Sequence, residues 1–499
     1  MPNANSGRRT AAFHSSGSTP QLWSARLAAL LQHVSGFAAV VATLLLLLAE
    51  RVASECLAKG AGLLERSPLW PLVMRKPFAV SLACCLVGTA TSVVIGFGAL
   101  PTPIGAALII LACTGLAVAA PLALAAVAAP DRLEEFQISA HLRRIHARSG
   151  RNELDSGWSE VVVAAGLLIV PPFLIAMAFR EASLPALLIH AAAVWGTRRS
   201  LVDFEHGDSH YDFFKPHSSA APGDRRCLTA LRWFAHQPLA LMSGRIPHWY
   251  AVQHVAVHHA ENNGLADTQS TAPYDRASFG GFAACAQRFA LSGLIPLDVL
   301  LYLTERRRTK AIRRLCTGYG VYLAWLAALF AINPAIALVL VGLRYVSLVA
   351  DAASFFQEHG LIDPVRPQTV ITGALHYISS DRAHGNRGED AHIEHHLRPG
   401  LHWSRYITRY AARLREYEQQ KAIGFYDAPG QLKVYFRLLW RRDFIELARH
   451  VHVFGGDGMS TDEIACLIEA RTAPAGPNPR RPLPHWVECH AGRLAASIL

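Results

Sequence analysis

Charge is scarce in this chain. Of its 499 residues, 17 % are Asp, Glu, Lys or Arg and 52 % are hydrophobic, whereas soluble domains carry roughly 25 % charged residues. That deficit argues against a freely soluble globular protein. The nine cysteines contain no C-x2-C pair, and Cys84 and Cys85 lie side by side in an apolar run. A disulfide framework, a zinc ribbon and an iron–sulfur cluster are therefore disfavoured. Neither H-E-x-x-H nor H-x-x-E-H occurs, so the helix that pairs zinc with a carboxylate base in hydrolases is missing. There is no H-P-G-G segment of the kind that binds a cytochrome b5 haem, and no G-x-G-x-x-G opens a βαβ unit. A fused electron donor or reductase is not expected on those grounds.

What the chain does have is long apolar sequence. Runs at 37–48, 78–100, 104–129, 161–179, 184–195, 319–332 and 334–348 are separated by polar intervals, and about 20 apolar residues span a hydrocarbon core. The last four form two short hairpins. The net charge of +11 raises the possibility of nucleic-acid binding, but the basic residues sit between spans, as in HLRRIHARSGR and ERRRTKAIRR. Such loops mark the cytoplasmic side of a membrane, so no nucleic-acid partner is expected. The expected organisation is a mobile tail at 1–26, additional membrane helices at 27–130 and a cytoplasmic linker at 131–159. A membrane catalytic domain at 160–415, a cytoplasmic C-terminal extension at 416–471 and a Pro-rich tail at 472–499 follow. Ser460 and Glu463 form a capping-box pattern within the extension.

Nine of the 24 histidines are grouped: His206 and His210; His254, His258 and His259; His359 alone; and His392, His395 and His396. Neutral imidazole is the commonest protein metal ligand. Residues three or four apart on a helix share a face, so each cluster can aim at one point. Eight or nine imidazoles exceed the needs of a single tetrahedral zinc and suit two ions of iron, zinc or copper. Every cluster follows a hairpin or lies between the hairpins, so all fall on one side of the membrane. The expected fold is an all-α integral membrane protein whose helical hairpins carry a cytoplasmic, histidine-rich helical cap. A pair of irons beside an apolar membrane interior suits activation of dioxygen against a lipid C–H bond.

These boxes resemble those of the membrane fatty acid desaturase and hydroxylase superfamily, which includes the membrane alkane hydroxylases. The resemblance covers about residues 160–415 and is most specific in HIEHHLRPGLHW at 392–403. It implies a helical membrane stem, a cytosolic cap, two iron ions and dioxygen as co-substrate. The ligand role carries over to His206 and His210, to His254, His258 and His259, to His359, and to His392, His395 and His396. His384, eight residues before the third box, is the rival of His359. His402 is assigned a supporting or stabilising place. Glu205, Glu261, Asp390 and Glu394 are candidates to accept the second ring N–H of a ligand. The middle box departs from the usual H-x2-H-H by one residue, and with QEHG at 357–360 this pulls toward hydroxylation; HHAENNG and HIEHHLRP pull toward desaturation.

The resulting expectation is a dioxygen-dependent fatty acid desaturase, with hydroxylation of an acyl or alkane chain as the alternative outcome at the same site. An external ferredoxin, rubredoxin or cytochrome b5 type donor would supply electrons. The lipid chain is expected in an apolar tunnel among the spans 161–195 and 319–348. Arg344 and Asp351, seven apart on one helical face, are expected to pair. The rival of another class is a membrane metal transporter or sensor, though apart from His190 the histidines avoid the spans. A zinc-dependent membrane hydrolase ranks third.

Overall fold

The computed structural model describes residues 140–178, 183–378, 391–426, 436 and 438–476. The expected helices at 27–130, the tail at 1–26 and nearly all of 472–499 lie outside the described residues, as do His384 and Asp390. The described chain is mostly helical. After α1 (Ala140–Ser149) come the long helices α2 (Gly157–Ala178) and α3 (Ser183–Tyr211), then α4 (Pro222–Phe234) and the short α5 (Trp249–Gln253). Next are α6 (Phe279–Leu294), α7 (Leu297–Glu305), α8 (Thr309–Ile332) and α9 (Pro334–Glu358).

Among the described residues, three stretches are long and apolar enough to cross a membrane: Glu153–Leu174, Thr309–Ile332 and Pro334–Glu358. The pair α6 and α7, bent by 76°, would make a fourth if it is one broken span. The α8–α9 hairpin is longer at both ends than the apolar runs 319–332 and 334–348. Its reversal is written in Asn333-Pro334. The Asn333 side chain accepts the Ala335 N–H at 3.1 Å, and Pro334 takes the first helical position, where its missing N–H costs nothing. α3 combines the apolar 184–195 run with a polar second half and is not among the three. α2, α3, α8 and α9 meet in a buried cluster of Phe173, Ala176, Leu187, Leu329, Ile336 and Leu340.

The fold also holds a small sheet, where an all-helical fold was expected. β1 (His376–Ile378) pairs in parallel with β2 (Ile423–Tyr426), which pairs antiparallel with β3 (Val451–Val453). The segments HYI, IGFY and VHV are rich in β-branched and aromatic residues, which fit a pleated, half-buried surface. Leu447, Val451 and Ile468 from this region share one buried core with Phe289, Leu303 and Phe356. The fully buried Arg276 fastens the last described helix, Thr461–Thr472. Its guanidinium donates to the Arg471 carbonyl at 2.9 Å, to Ala473 at 2.7 Å and to Gly360 at 3.1 Å. The capping box closes at that helix, with both reciprocal bonds of Ser460 and Glu463 present.

Candidate metal centre

The histidines reach their places by distinct local means. His206 and His210 are one turn apart near the end of α3, with ring centroids 5.5 Å apart. The second box follows α5, and α5 is seated by a close backbone approach to α8. A Cβ at Gly318 would lie 1.9 Å from the Pro247 carbonyl oxygen, so only glycine fits there. The chain then makes a π turn over His254–His258, closed by the His259 N–H on the His254 carbonyl. This i→i+5 turn absorbs the extra residue of H-x3-H-H. It brings His258 and His259 to straddle the face of His254, where a regular helix would swing His259 away. The following ENNG leaves the helix through two left-handed residues, Asn262 at φ 47° and Asn263 at φ 60°, a conformation asparagine tolerates. His359 caps the end of α9. The third box forms α10 (His392–Leu397), with all of its histidines buried.

All nine histidines converge. Five of them, His206, His210, His254, His259 and His395, offer nitrogens within 4.8 Å of one another. A second group unites His258, His359 and His396, and His392 joins it through His359 together with Glu358. Each adjacent doublet is split: His258 and His396 serve the second group, His259 and His395 the first. Two groups standing side by side follow directly from that division.

The spacings are those of ligands around an ion. Nε2 of His395 is 2.9 Å from that of His206 and 2.9 Å from that of His259, which is 3.0 Å from that of His254. In the second group His258 and His396 are 3.3 Å apart and His392 and His359 3.4 Å. Two nitrogens bound at about 2.1 Å and at right angles stand about 3.0 Å apart, and a wider angle separates them further. Hydrogen bonding among the rings cannot account for the arrangement, because the single Nε2 of His395 would have to serve two neighbours. His210 Nε2 is buried with no partner. The donor set thus fits metal ions in two groups.

Outer contacts fix which nitrogen faces inward. The Nδ1–H of His359 donates to the Gly373 carbonyl at 2.6 Å and that of His258 to Asp267 at 2.7 Å. Nδ1 of His396 meets Asn262 Oδ1 at 3.3 Å, and Nδ1 of His395 meets the Tyr406 hydroxyl at 3.2 Å. Asp267, fully buried, was not apparent from the sequence; it sits eight residues beyond the box in a polar loop, with no spacing rule to mark it. Glu358 was also missed, although its place beside His359 in QEHG was the available signal. Burial holds His254, His259, His359, His392, His395 and His396 well below the usual imidazole range. Burial, with the neighbouring imidazoles adding to it, takes His210 to about 2. These seven rings are therefore neutral at physiological pH, the form that binds metal.

The other carboxylates have different partners. Glu205 forms a two-point ion pair with Arg245 at 2.8 and 2.5 Å. Glu261 accepts from Tyr302 at 2.7 Å and Arg306 at 2.6 Å. Glu394 accepts from the Tyr417 hydroxyl and lies 3.3 Å from Arg413. His402 lies 3.1 Å from Asp155 and 2.9 Å from the Ser404 hydroxyl. The expected Arg344–Asp351 pair is corrected: Asp351 binds Arg198 at 2.5 Å, while Arg344 stacks over Trp249 at 4.4 Å. Arg198 reaches Asp351 from α3, a choice that depends on which helices are neighbours. His190 makes an interhelical contact to the Ile169 carbonyl at 3.2 Å.

A cavity of about 110 Å³ opens onto both groups, with His206, His254, His258 and His392 in its wall. Its other lining comes from α3 between 198 and 203, from Tyr250, Phe289 and Tyr377, and from α9 between 351 and 358. It lies beyond the spans 161–195 and 319–348, where the tunnel was expected. The helices there pack against one another through Ala176, Leu187, Leu329 and Ala337.

Helices long and apolar enough to cross a membrane thus stand beside a buried histidine site whose two groups could hold metal ions. Residues 217–426 match the family model described as fatty acid desaturase, a match that supports a likeness of this segment to the membrane fatty acid desaturase and hydroxylase superfamily. The match takes in the second and third boxes and His359 and begins after His206 and His210. No curated protein and no solved structure matches the chain.

Proposed function

We propose that the chain is a membrane-bound oxygenase that uses two irons and dioxygen to oxidise a C–H bond of a lipid chain, with desaturation as its outcome. The observation that carries this reading is the division of nine histidines into two adjacent groups sharing one cavity, within a fatty acid desaturase family segment. When bound, the two irons would supply activation of dioxygen toward an unactivated methylene. His206, His210, His254, His259 and His395 would hold one, and His258, His359, His392 and His396 the other, with Glu358 within reach of the second. The protein's part is to keep His210, His254, His259, His359, His392, His395 and His396 neutral by burial and to turn Nε2 of His258, His359, His396 and His395 inward through Asp267, Gly373, Asn262 and Tyr406. In the cavity wall Arg198 is fixed by Asp351 and stacks over Trp195 at 5.3 Å, an interface pairing that suits a substrate arriving from the bilayer. The histidine groups are assigned to the cytoplasmic side, where an external ferredoxin, rubredoxin or cytochrome b5 type protein would deliver electrons.

Hydroxylation is the second reading, favoured by the longer middle box with its π turn. Mass spectrometry of products separates the two: loss of two hydrogens marks desaturation, gain of one oxygen hydroxylation. The test of the shared reading is metal content after purification without chelator, joined to dioxygen-dependent product formation with a reducing partner. Active protein holding one zinc and no iron would refute it.

A further inference from the structure

The polar groups of the cavity wall are mostly spoken for. Arg198 is bound to Asp351, and Arg199 stands 3.7 Å from Asp203. Gln357 differs. It lines the cavity, the residue is 3 % exposed, and its amide nitrogen has no hydrogen-bond partner. The same holds in this wall for Nδ1 of His392, but that ring belongs to the candidate metal site. An amide buried without a partner costs free energy that folding alone does not recover. A bare methylene chain would leave it unpaired. Gln357 also precedes Glu358 and His359 and lines the cavity together with His258 and His392, so whatever it binds lies near the reacting end.

Resting on the oxygenase reading above, we infer that Gln357 is a positioning and specificity residue that donates a hydrogen bond to an oxygen of the substrate. The substrate class is then an amphiphile bearing a carboxylate, carbonyl or hydroxyl oxygen, oxidised at a carbon close to that oxygen. An unfunctionalised alkane is the class the site rejects, because it strands the amide.

The test uses the full-length, iron-loaded protein in lipid nanodiscs, with hexadecanoate, 1-hexadecanol and hexadecane as probes of equal chain length. Binding is read by the shift in thermal unfolding, which does not require turnover. Wild type is expected to bind the acid and the alcohol about tenfold or more tighter than the alkane. Gln357→Met, of similar length and apolar, should bring all three to the alkane's affinity with iron content unchanged. Gln357→Glu should keep the alcohol, whose hydroxyl can donate to the carboxylate, and lose the acid through charge repulsion. Wild type binding hexadecane as well as the two oxygenated probes would overturn the inference even if a variant failed to fold. So would an equal loss for all three probes in Gln357→Met. Failure of the oxygenase reading looks different: the binding order would persist, yet no probe would be oxidised by protein carrying two irons and supplied with reductant and dioxygen.

Discussion

Removing Asp267 should empty one metal position and spare the other. Its carboxylate is fully buried and accepts the His258 Nδ1–H at 2.7 Å. His258 belongs to the group of His359, His392 and His396, and not to the five around His395. Asp267→Leu therefore frees one ring to rotate and leaves its N–H buried without an acceptor. Groups that orient metal-bound histidines are typically worth 10–100-fold in affinity, or about 1.4–2.7 kcal/mol. Asp267→Asn should fall at the mild end, because its single amide oxygen can still accept from the ring, while the Gln269 N–H, which the other carboxylate oxygen holds at 3.0 Å, loses that acceptor. The assay is iron content by mass spectrometry during titration with a chelator. Wild type should release two irons with similar difficulty; Asp267→Leu should release one at about 10–100-fold lower chelator concentration and hold the second as before. Wild-type retention of both irons would refute the reasoning. So would simultaneous loss of both from a protein whose thermal unfolding is unchanged, since the two groups would then not be separate.

His395→Ala should abolish activity and cost the iron of the five-histidine group, because its Nε2 stands 2.9 Å from both His206 and His259; insertion into membranes, checked by fractionation, should be unaffected. Acid should weaken the metal-free fold: burial lowers the pKa of His254, His259, His392, His395 and His396, so the unfolded state binds more protons as pH falls. Stability should be complete above about pH 6.5 and decline below it, and an unfolding temperature that stays level down to about pH 5 would contradict the neutral cluster. Arg276→Met should destabilise the protein by on the order of 3 kcal/mol or more and expose the Thr461–Thr472 helix to protease, since several buried carbonyls lose their donor; a change under about 1 kcal/mol would show that water replaces the guanidinium. Cysteines placed at the exposed positions Ser219 and Glu416 should react with an impermeant maleimide from the same side of the membrane, and labelling from opposite sides would be incompatible with one shared site.

The sequence alone was enough to group eight of the nine converging histidines, because imidazoles at helical spacing announce a common target before any fold is known; the lone His359 was added by the family resemblance. It also located the α8–α9 hairpin, since Asn333-Pro334 can stop one helix and start another using only local contacts. The capping box at Ser460 was legible for the same reason. How the nine divide was not legible. The split of each histidine doublet depends on a π turn in one segment and on the angle at which α10 meets it, and neither is a property of spacing. Asp267 and Glu358 became visible only when separate segments were brought together, whereas Glu205, Glu261 and Glu394, near the boxes in sequence, turned to other partners. Arg344 and Asp351 share a helical face, yet Arg198 on α3 took the carboxylate because side-chain charges pair with whatever the packing places beside them. Local geometry fixes which residues can face one way; only the packing of distant helices decides what they meet.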